Sequence, residues 1–362
     1  MRILNLISSL SGGGAERQLS YIAPSLAAKG HDVHVAYFWA GPEIVSDDTV
    51  RYHLVKVDNN YDINGLVKIR KLILELRPDI IQTWLPQMDI LMGLYSLTCP
   101  IIWVTREASS AKAYTAFSFK KILRAKLMSR ATGIIANSKG GAAYWKAQKI
   151  RVPCYIIPNA LPLNEIEKVS AYQSSHLLNE RVPTILFVGR MVRSKRADAL
   201  IRGLHEVNNY TRVDAIFAGD GPERSNLEVL VDDLGLRKQI QFIGHQSRSM
   251  VWSLMKNATA FVSLSEFEGC PNSVMEACAC GCALLLSDIA SHREIVDEES
   301  ALFVKSIALK EISDGLRSII SDRSDKQMRL MSVRKRMGFC TFDGIATCFE
   351  DTYNTMLGGS KT

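Results

Sequence analysis

The sequence predicts an α/β chain of two tandem, doubly wound parallel sheets, and three observations predict it. Short β-branched or apolar runs alternate with longer amphipathic ones, the pattern of strands joined by crossover helices. The strand series restarts after a polar, weakly patterned stretch that begins at Leu161. Finally, 362 residues exceed what one hydrophobic core usually supports, while 47% apolar content keeps both halves globular.

Taken in order, RILNLIS, HDVHVAYF, DIIQTWL, PIIWVTR, ATGIIANS and CYIIPN predict the strands of the first half. Between the first two, AERQLSYIAPSLAAKG predicts a helix closed by Gly30, since glycine tolerates the left-handed backbone that ends helices. LPLNEIEKVSAYQSSHLLNERVP reads as the linker. TILFVGR, VDAIFAGD, IQFIGH, TAFVSLS and CALLLSD then predict five more strands, separated by helical stretches such as ADALIRGLHEVN and ERSNLEVLVDDLG. The expected domains are 1–165, 166–340 and a closing segment, 341–362.

Composition excludes several classes. The opening MRILNLISSLSGGG has an apolar run too short for a signal-peptide core, and no window of eighteen apolar residues occurs elsewhere. A cytoplasmic location is the expectation, and the eight cysteines are then reduced thiols. Residues 1–165 carry a net +8 and residues 166–362 a net −1, so the excess charge lies in the first half. Its densest part holds Lys112, Lys120, Lys121, Arg124, Lys126 and Arg130 among Phe117, Phe119, Leu123 and Leu127, an amphipathic basic helix. Such a helix either packs on its own sheet with a solvated face or meets an anionic membrane surface peripherally. No nucleic-acid-reading motif accompanies the charge.

Ligands of open parallel sheets bind at the carboxyl ends of the strands, which directs attention to four turns. SSLSGGGAER could turn backbone N–H groups of Gly13 and Gly14 toward a phosphate or sugar, or simply be a tight turn. GRMVRSK gathers Arg190, Arg193 and Lys195 beside Arg196, a crowd of cations that suits a diphosphate. GDGPER, with Gly219 and Gly221, is a turn whose signal alone is weak. In SEFEGCPNSVMEACACGC, Glu268 and Glu276 flank a glycine turn and a helix start, where carboxylates grip adjacent sugar hydroxyls. Its cysteines lack paired zinc spacing and read as packing, with no metal expected.

In order and spacing, GGGAER, ANSKG, IPNA, FVGRMVRSK, AGDGPER and the E-x7-E pair Glu268 and Glu276 resemble the retaining glycosyltransferases of family GT4. The resemblance implies the GT-B fold, two Rossmann-like domains facing across a cleft. It implies that Arg190 and Lys195 hold the diphosphate of a nucleotide-sugar donor, UDP-linked by preference, and that Glu276 binds the ribose. Glu268, with the backbone of Gly269, Cys270, Pro271, Asn272 and Ser273, would hold the sugar, and Gly13, Gly14 and Gly219 would complete the donor site. The acceptor implied is a lipid-linked or other envelope glycan, and no cofactor is implied. The resemblance departs where many relatives have a histidine after PIIWVTR; Arg106 takes that place, as a catalytic residue or a core arginine. A 2-epimerase of the same fold and a non-catalytic sugar-nucleotide or lipid-binding partner of a glycan assembly complex are the alternatives.

Overall fold

The computed structural model describes residues 1–10, 13–40, 47–59, 62–108, 119–171, 181–321, 330–331 and 336–359. Gly12, Lys112 and Phe117 lie outside them. The chain divides into two compact units, Met1–Ala160 with Phe339–Thr362, and Leu161–Gly338.

The first unit is built on a seven-stranded parallel sheet in the order β3-β2-β1-β4-β5-β6-β7. Its strands are β1 (Arg2–Ser9), β2 (Asp32–Trp39), β3 (Arg51–Leu54), β4 (Ile80–Trp84), β5 (Trp103–Glu107), β6 (Gly133–Ala136) and β7 (Cys154–Ile156). Helices α1 (Gly14–Ala28), α2 (Ile63–Leu76), α3 (Pro86–Tyr95), α4 (Phe119–Met128) and α5 (Lys139–Ala147) connect them. α1 ends as the sequence predicts, with Gly30 at φ +86°. Side chains of β1 alternate between two cores. Ile3 and Ile7 face Leu19, Ile22 and Leu26 of α1, while Leu4 and Leu6 join Ile69, Ile73, Met88 and Leu91. Burial on both faces is why the strand reads as a nearly unbroken apolar run. The one polar residue between Ile3 and Ile7, Asn5, accepts a 3.0 Å hydrogen bond from the Trp84 indole.

The C-terminal helix Phe342–Gly359 completes the α1 side of this sheet. Phe349 and Tyr353 are fully buried, each contributing roughly 1.5–3 kcal/mol of hydrophobic stabilisation. The Tyr353 hydroxyl donates to Gln82 Oε1 at 2.5 Å, and Glu350 pairs with His31 at 3.0 Å.

α4 forms where the basic amphipathic pattern predicts, but Arg124 does not belong to its solvated face. It is buried, donates at 2.7 Å to Asp89 and at 3.0 Å to Glu107, and lies over the Trp145 ring. Two buried carboxylates need a cation, and α4 supplies it. Phe119, at the other extreme, is 73% exposed although its spacing suggests the apolar stripe.

The second unit has a six-stranded parallel sheet in the order β10-β9-β8-β11-β12-β13. Its elements are α6 (Leu163–Lys168), β8 (Thr184–Val188), α7 (Ala197–Asn208), β9 (Asp214–Ala218), α8 (Arg224–Asp233), β10 (Ile240–Gly244), α9 (Arg248–Asn257), β11 (Ala260–Ser263), α10 (Asn272–Ala279), β12 (Ala283–Ser287), α11 (Ala290–Arg293), β13 (Leu302–Val304) and α12 (Leu309–Ser321). The stretch read as linker is partly ordered into this unit: the Lys256 ammonium caps the carbonyls of Ile166 and Val169 at the end of α6, and Ser253 Oγ donates to the Ser170 carbonyl. Residues 172–180 of that stretch lie outside the described ones. Cys278, Cys280 and Cys282 are buried packing residues at the end of α10, and burial raises the Cys278 thiol far above its ordinary pKa.

Candidate functional site

In the second unit β8 is hydrogen-bonded to β9 on one side and β11 on the other. The chain therefore leaves the carboxyl ends of β8 and β11 in opposite directions, which opens a crevice at that edge of the sheet. Two loops border it, the one from Gly189 to Arg196 and the one from Leu264 to Pro271. Glu266 N–H donates to the Ser194 carbonyl at 2.8 Å, which ties the loops backbone to backbone. Above this tie Lys195 Nζ meets Glu268 Oε1, the same oxygen that accepts from Ser265 Oγ at 2.8 Å. The structure thus joins Lys195 to Glu268, which stand 73 residues apart in sequence.

The expected crowd of cations is partly neutralised from within. Arg196 pairs with Asp198 at 3.2 Å and with Glu266 at 3.1 Å, which gives Glu266 a partner that the sequence left unassigned. Arg196 adopts a left-handed backbone, φ 51°, at the start of α7, and these two carboxylates hold its side chain there. Arg190 and Arg193 are exposed and make no side-chain hydrogen bond or ion pair among the described residues. Charge available to an incoming anion therefore resides on Arg190 and Arg193 first, with Lys195 shared.

The loop carrying Glu268 runs through Gly269 and Cys270 into α10, whose N-cap is Pro271. No side chain caps this helix, and Asn272 and Ser273 form its first turn. Cys270 Sγ lies 3.5 Å from Met275 Sδ, a packing contact. Glu276 is the fifth residue of α10 and is 5% exposed, an unusual burial for a carboxylate.

Gly219 and Gly221 have a structural reason to be glycine. Gly219 has φ +131°, and a Cβ there would stand 2.1 Å from the Gly189 carbonyl oxygen; one on Gly221 would stand 2.4 Å from that of Met191. The turn after β9 lies directly on the turn after β8, joined by Met191 N–H to the Asp220 carbonyl at 2.8 Å.

The first unit repeats the arrangement, with β1 between β2 and β4. Gly13 is the N-cap of α1 and Gly14 its first residue. Glu16 turns back over Gly13, where a Cβ would meet its carboxylate at 2.3 Å, and accepts from Ser9 Oγ at 3.1 Å. A carboxylate already occupies this positive helix end, so the loop suits hydroxyls better than phosphate. Across the switch point Leu85 holds a strained φ of 75° before Pro86, and Gln87 Oε1 is buried with no hydrogen-bond partner among the described residues. Arg106 is 3% exposed at the end of β5; it donates to the carbonyls of Ile157 at 2.7 Å and Pro158 at 3.3 Å and to Asn159 Oδ1 at 3.1 Å, with its guanidinium over Phe349. Sequence reasoning missed Ser265 and, behind it, Ser263 and His292. Serine is too common for its position to be read without the fold.

Residues 12–165 match the model of Glycosyltransferase Family 4, and residues 169–336 match that of Glycosyl transferases group 1. Among curated proteins, the Campylobacter jejuni N-acetylgalactosamine-N,N'-diacetylbacillosaminyl-diphospho-undecaprenol 4-alpha-N-acetylgalactosaminyltransferase is 25% identical, over 97% of this chain and 98% of that protein. The lipopolysaccharide core biosynthesis glycosyltransferase LpsD of Rhizobium meliloti is 33% identical over 32% of each chain. Anabaena HepE, solved in complex with UDP-glucose, superposes with a TM-score of 0.83 at 18% identity, covering 98% of this chain and 100% of its own. With one model on each unit and the fold shared along the whole length, the chain belongs to the GT4-type glycosyltransferases of the GT-B fold.

Proposed function

We propose that the protein moves a hexose-type sugar from a UDP-linked donor to a lipid-linked glycan with retention of anomeric configuration, and that it does so without a metal ion. The observation that carries the reading is the meeting of Lys195 and Glu268 at the carboxyl ends of β8 and β11, with Glu276 on the helix that follows. In this reading Arg190 and Lys195 face the diphosphate, Glu276 accepts from the ribose hydroxyls, and Glu268 accepts from the sugar. The bond from C1 of the sugar to the β-phosphate oxygen breaks, its electron pair stays on that oxygen, and the fixed cations stabilise the charge. The acceptor hydroxyl bonds to C1 on the same face, and its proton passes to the leaving phosphate.

The UDP and UDP-glucose complexes of the Anabaena relative support the choice of nucleotide, and the undecaprenol-linked substrate named for the Campylobacter relative supports the choice of acceptor. The test is UDP release from a panel of UDP-sugars, with and without polyprenyl-diphosphate-linked glycan, in the presence and absence of EDTA. Release that requires acceptor and survives EDTA is expected. Glu276→Ala should raise the donor KM by roughly tenfold to a hundredfold, the worth of one or two charge-assisted hydrogen bonds. Failure of every donor under every acceptor condition overturns the transferase reading; isomerised donor without acceptor would make the protein an epimerase.

A further inference from the structure

The two side chains to which the proposed reaction gives separate tasks, Lys195 for the diphosphate and Glu268 for the sugar, are paired with each other in the protein as it stands. Lys195 Nζ donates to Glu268 Oε1, and it makes no other side-chain hydrogen bond or ion pair among the described residues. The pair is placed by its backbone. Lys195 ends the 3-10 turn Arg193–Lys195, its N–H donates to the Val192 carbonyl at 3.0 Å, and the Ser194 carbonyl beside it accepts from Glu266 N–H at 2.8 Å. With both loops fixed, the contact is less subject to the ordering cost that makes most surface ion pairs worth little. Glu268 Oε1 also accepts from Ser265 Oγ at 2.8 Å, whereas Oε2 has no hydrogen-bond partner among the described residues. One carboxylate oxygen thus holds the cation, and the other is left for ligand hydroxyls.

We infer that Glu268 selects the sugar-bearing donor over the sugar-free nucleotide product, by competing with the diphosphate for the Lys195 ammonium. The inference rests on the proposed function, which puts the diphosphate at Lys195 and the sugar at Glu268. An incoming diphosphate draws on an ammonium that already has a carboxylate, so what Lys195 gives to phosphate it withdraws from Oε1. With a donor, the sugar hydroxyls donate to the carboxylate and offset that loss. After transfer the hydroxyls have left with the product. The β-phosphate oxygen that carried the sugar keeps the electron pair of the broken bond, and once it gives the acceptor's proton to water it bears a further negative charge, as phosphate groups do near neutral pH. This oxygen and Glu268 then face the same ammonium. Two anions sharing one cation are held less well than a phosphate beside a carboxylate that hydroxyls satisfy, so the bare nucleotide binds more weakly and leaves. Arg190 and Arg193, which have no carboxylate partner among the described residues, attract donor and product alike and do not make this distinction.

Equilibrium binding without acceptor tests the inference, with UDP and UDP-glucose as the probes. Glu268→Gln keeps the size of the side chain and the bond from Ser265 but gives up the charge that competes for Lys195. UDP should bind this variant about fivefold to tenfold more tightly than the parent, whereas UDP-glucose, whose hydroxyls lose a charged acceptor, should bind no more tightly. Glu268→Asp separates competition by contact from repulsion at a distance. It keeps the charge but, one methylene shorter, draws it away from Lys195, so UDP should still bind about threefold more tightly. Glu266→Gln removes a carboxylate that pairs with Arg196 instead, and should leave UDP affinity within about twofold. Equal tightening of UDP and UDP-glucose, a gain with Gln and none with Asp, an equal gain at Glu266, or unchanged UDP affinity each overturns the inference. GDP and ADP, with their sugar conjugates, take the place of the probes if the protein prefers another base. If nucleotides bind but no donor is turned over under any acceptor condition, the transferase reading falls and the UDP measurements still decide this inference. Failure of every nucleoside diphosphate to bind overturns both.

Discussion

Two charge clusters in this protein look alike by composition and differ in burial. Lys195 and Glu268 are both partly exposed, with side chains 23% and 14% accessible, and sit at the strand ends where the proposed donor would lie. Arg124, Asp89 and Glu107 are 5% exposed or less, and Asp89 also accepts from the hydroxyls of Thr83 and Thr105 at 2.5 Å. The Arg124 guanidinium meets Asp89, Glu107 and Trp145 in the interior of the first unit, so the group acts on stability. Arg124→Met should therefore destabilise the protein by about 3–5 kcal/mol, because it strands buried carboxylates. Lys126→Met, two residues later on the same helix and exposed, should change stability by no more than about 0.5 kcal/mol, as exposed substitutions usually do. Urea melts of the two variants check the contrast; equal effects would mean that Arg124 is no more than a surface cation.

At the scale of elements, the sequence revealed eleven strands in their right places and missed β3 and β13. Both are short edge strands, RYHL and LFV, each paired to a single neighbour. An edge strand needs apolar residues on fewer sides and so lacks the long run by which β1 or β12 is recognised. The turns show the same limit in reverse. Glu268 and Glu276 could be singled out because they flank a glycine turn and a helix start, whereas Ser263, Ser265 and His292 meet only because β11, the loop after it and α11 converge. GDGPER gave a weak signal because its glycines serve backbone contact between two turns. Gly219→Ala would place a methyl group against the Gly189 carbonyl and force a non-glycine residue to φ +131°. It should cost roughly 1–3 kcal/mol of stability. It should also weaken donor binding, because the turn it displaces is the one that carries Arg190. Thermal melts with and without UDP separate these effects: a variant that loses stability yet gains as much from UDP as the parent would show that the turn is scaffold only.

At the scale of the whole molecule, charge is divided between the two halves of the sequence, +8 in residues 1–165 and −1 in the remainder. Among the described residues, no helix is long and apolar enough to cross a membrane. A lipid-linked acceptor, as proposed, would lie at a membrane surface. We propose that α3, α4 and the residues that follow each would make the contact: Leu97 and Phe119 are 57% and 73% exposed, Leu94 and Ile122 are also exposed, and Lys120, Lys121, Lys126 and Arg130 accompany them. Gly93 admits Leu127 so closely that a Cβ there would stand 2.6 Å from it, and Arg130 binds the Ser96 carbonyl at 2.7 Å, so the two helices form one unit. Exposed aromatic and aliphatic groups beside cations suit an anionic lipid surface, where each lysine contributes about 1 kcal/mol. Binding to vesicles containing anionic lipid should then exceed binding to zwitterionic vesicles and weaken as salt rises, since screening shortens the reach of the charges. Removing two of them, Lys120→Gln with Lys121→Gln, should reduce partitioning about thirtyfold at low salt. Phe119→Ser should weaken binding at every salt concentration, because its contribution is hydrophobic. Vesicle flotation across a salt series reads all three, and binding that ignores both salt and lipid charge would assign the basic face of α4 to solvent alone.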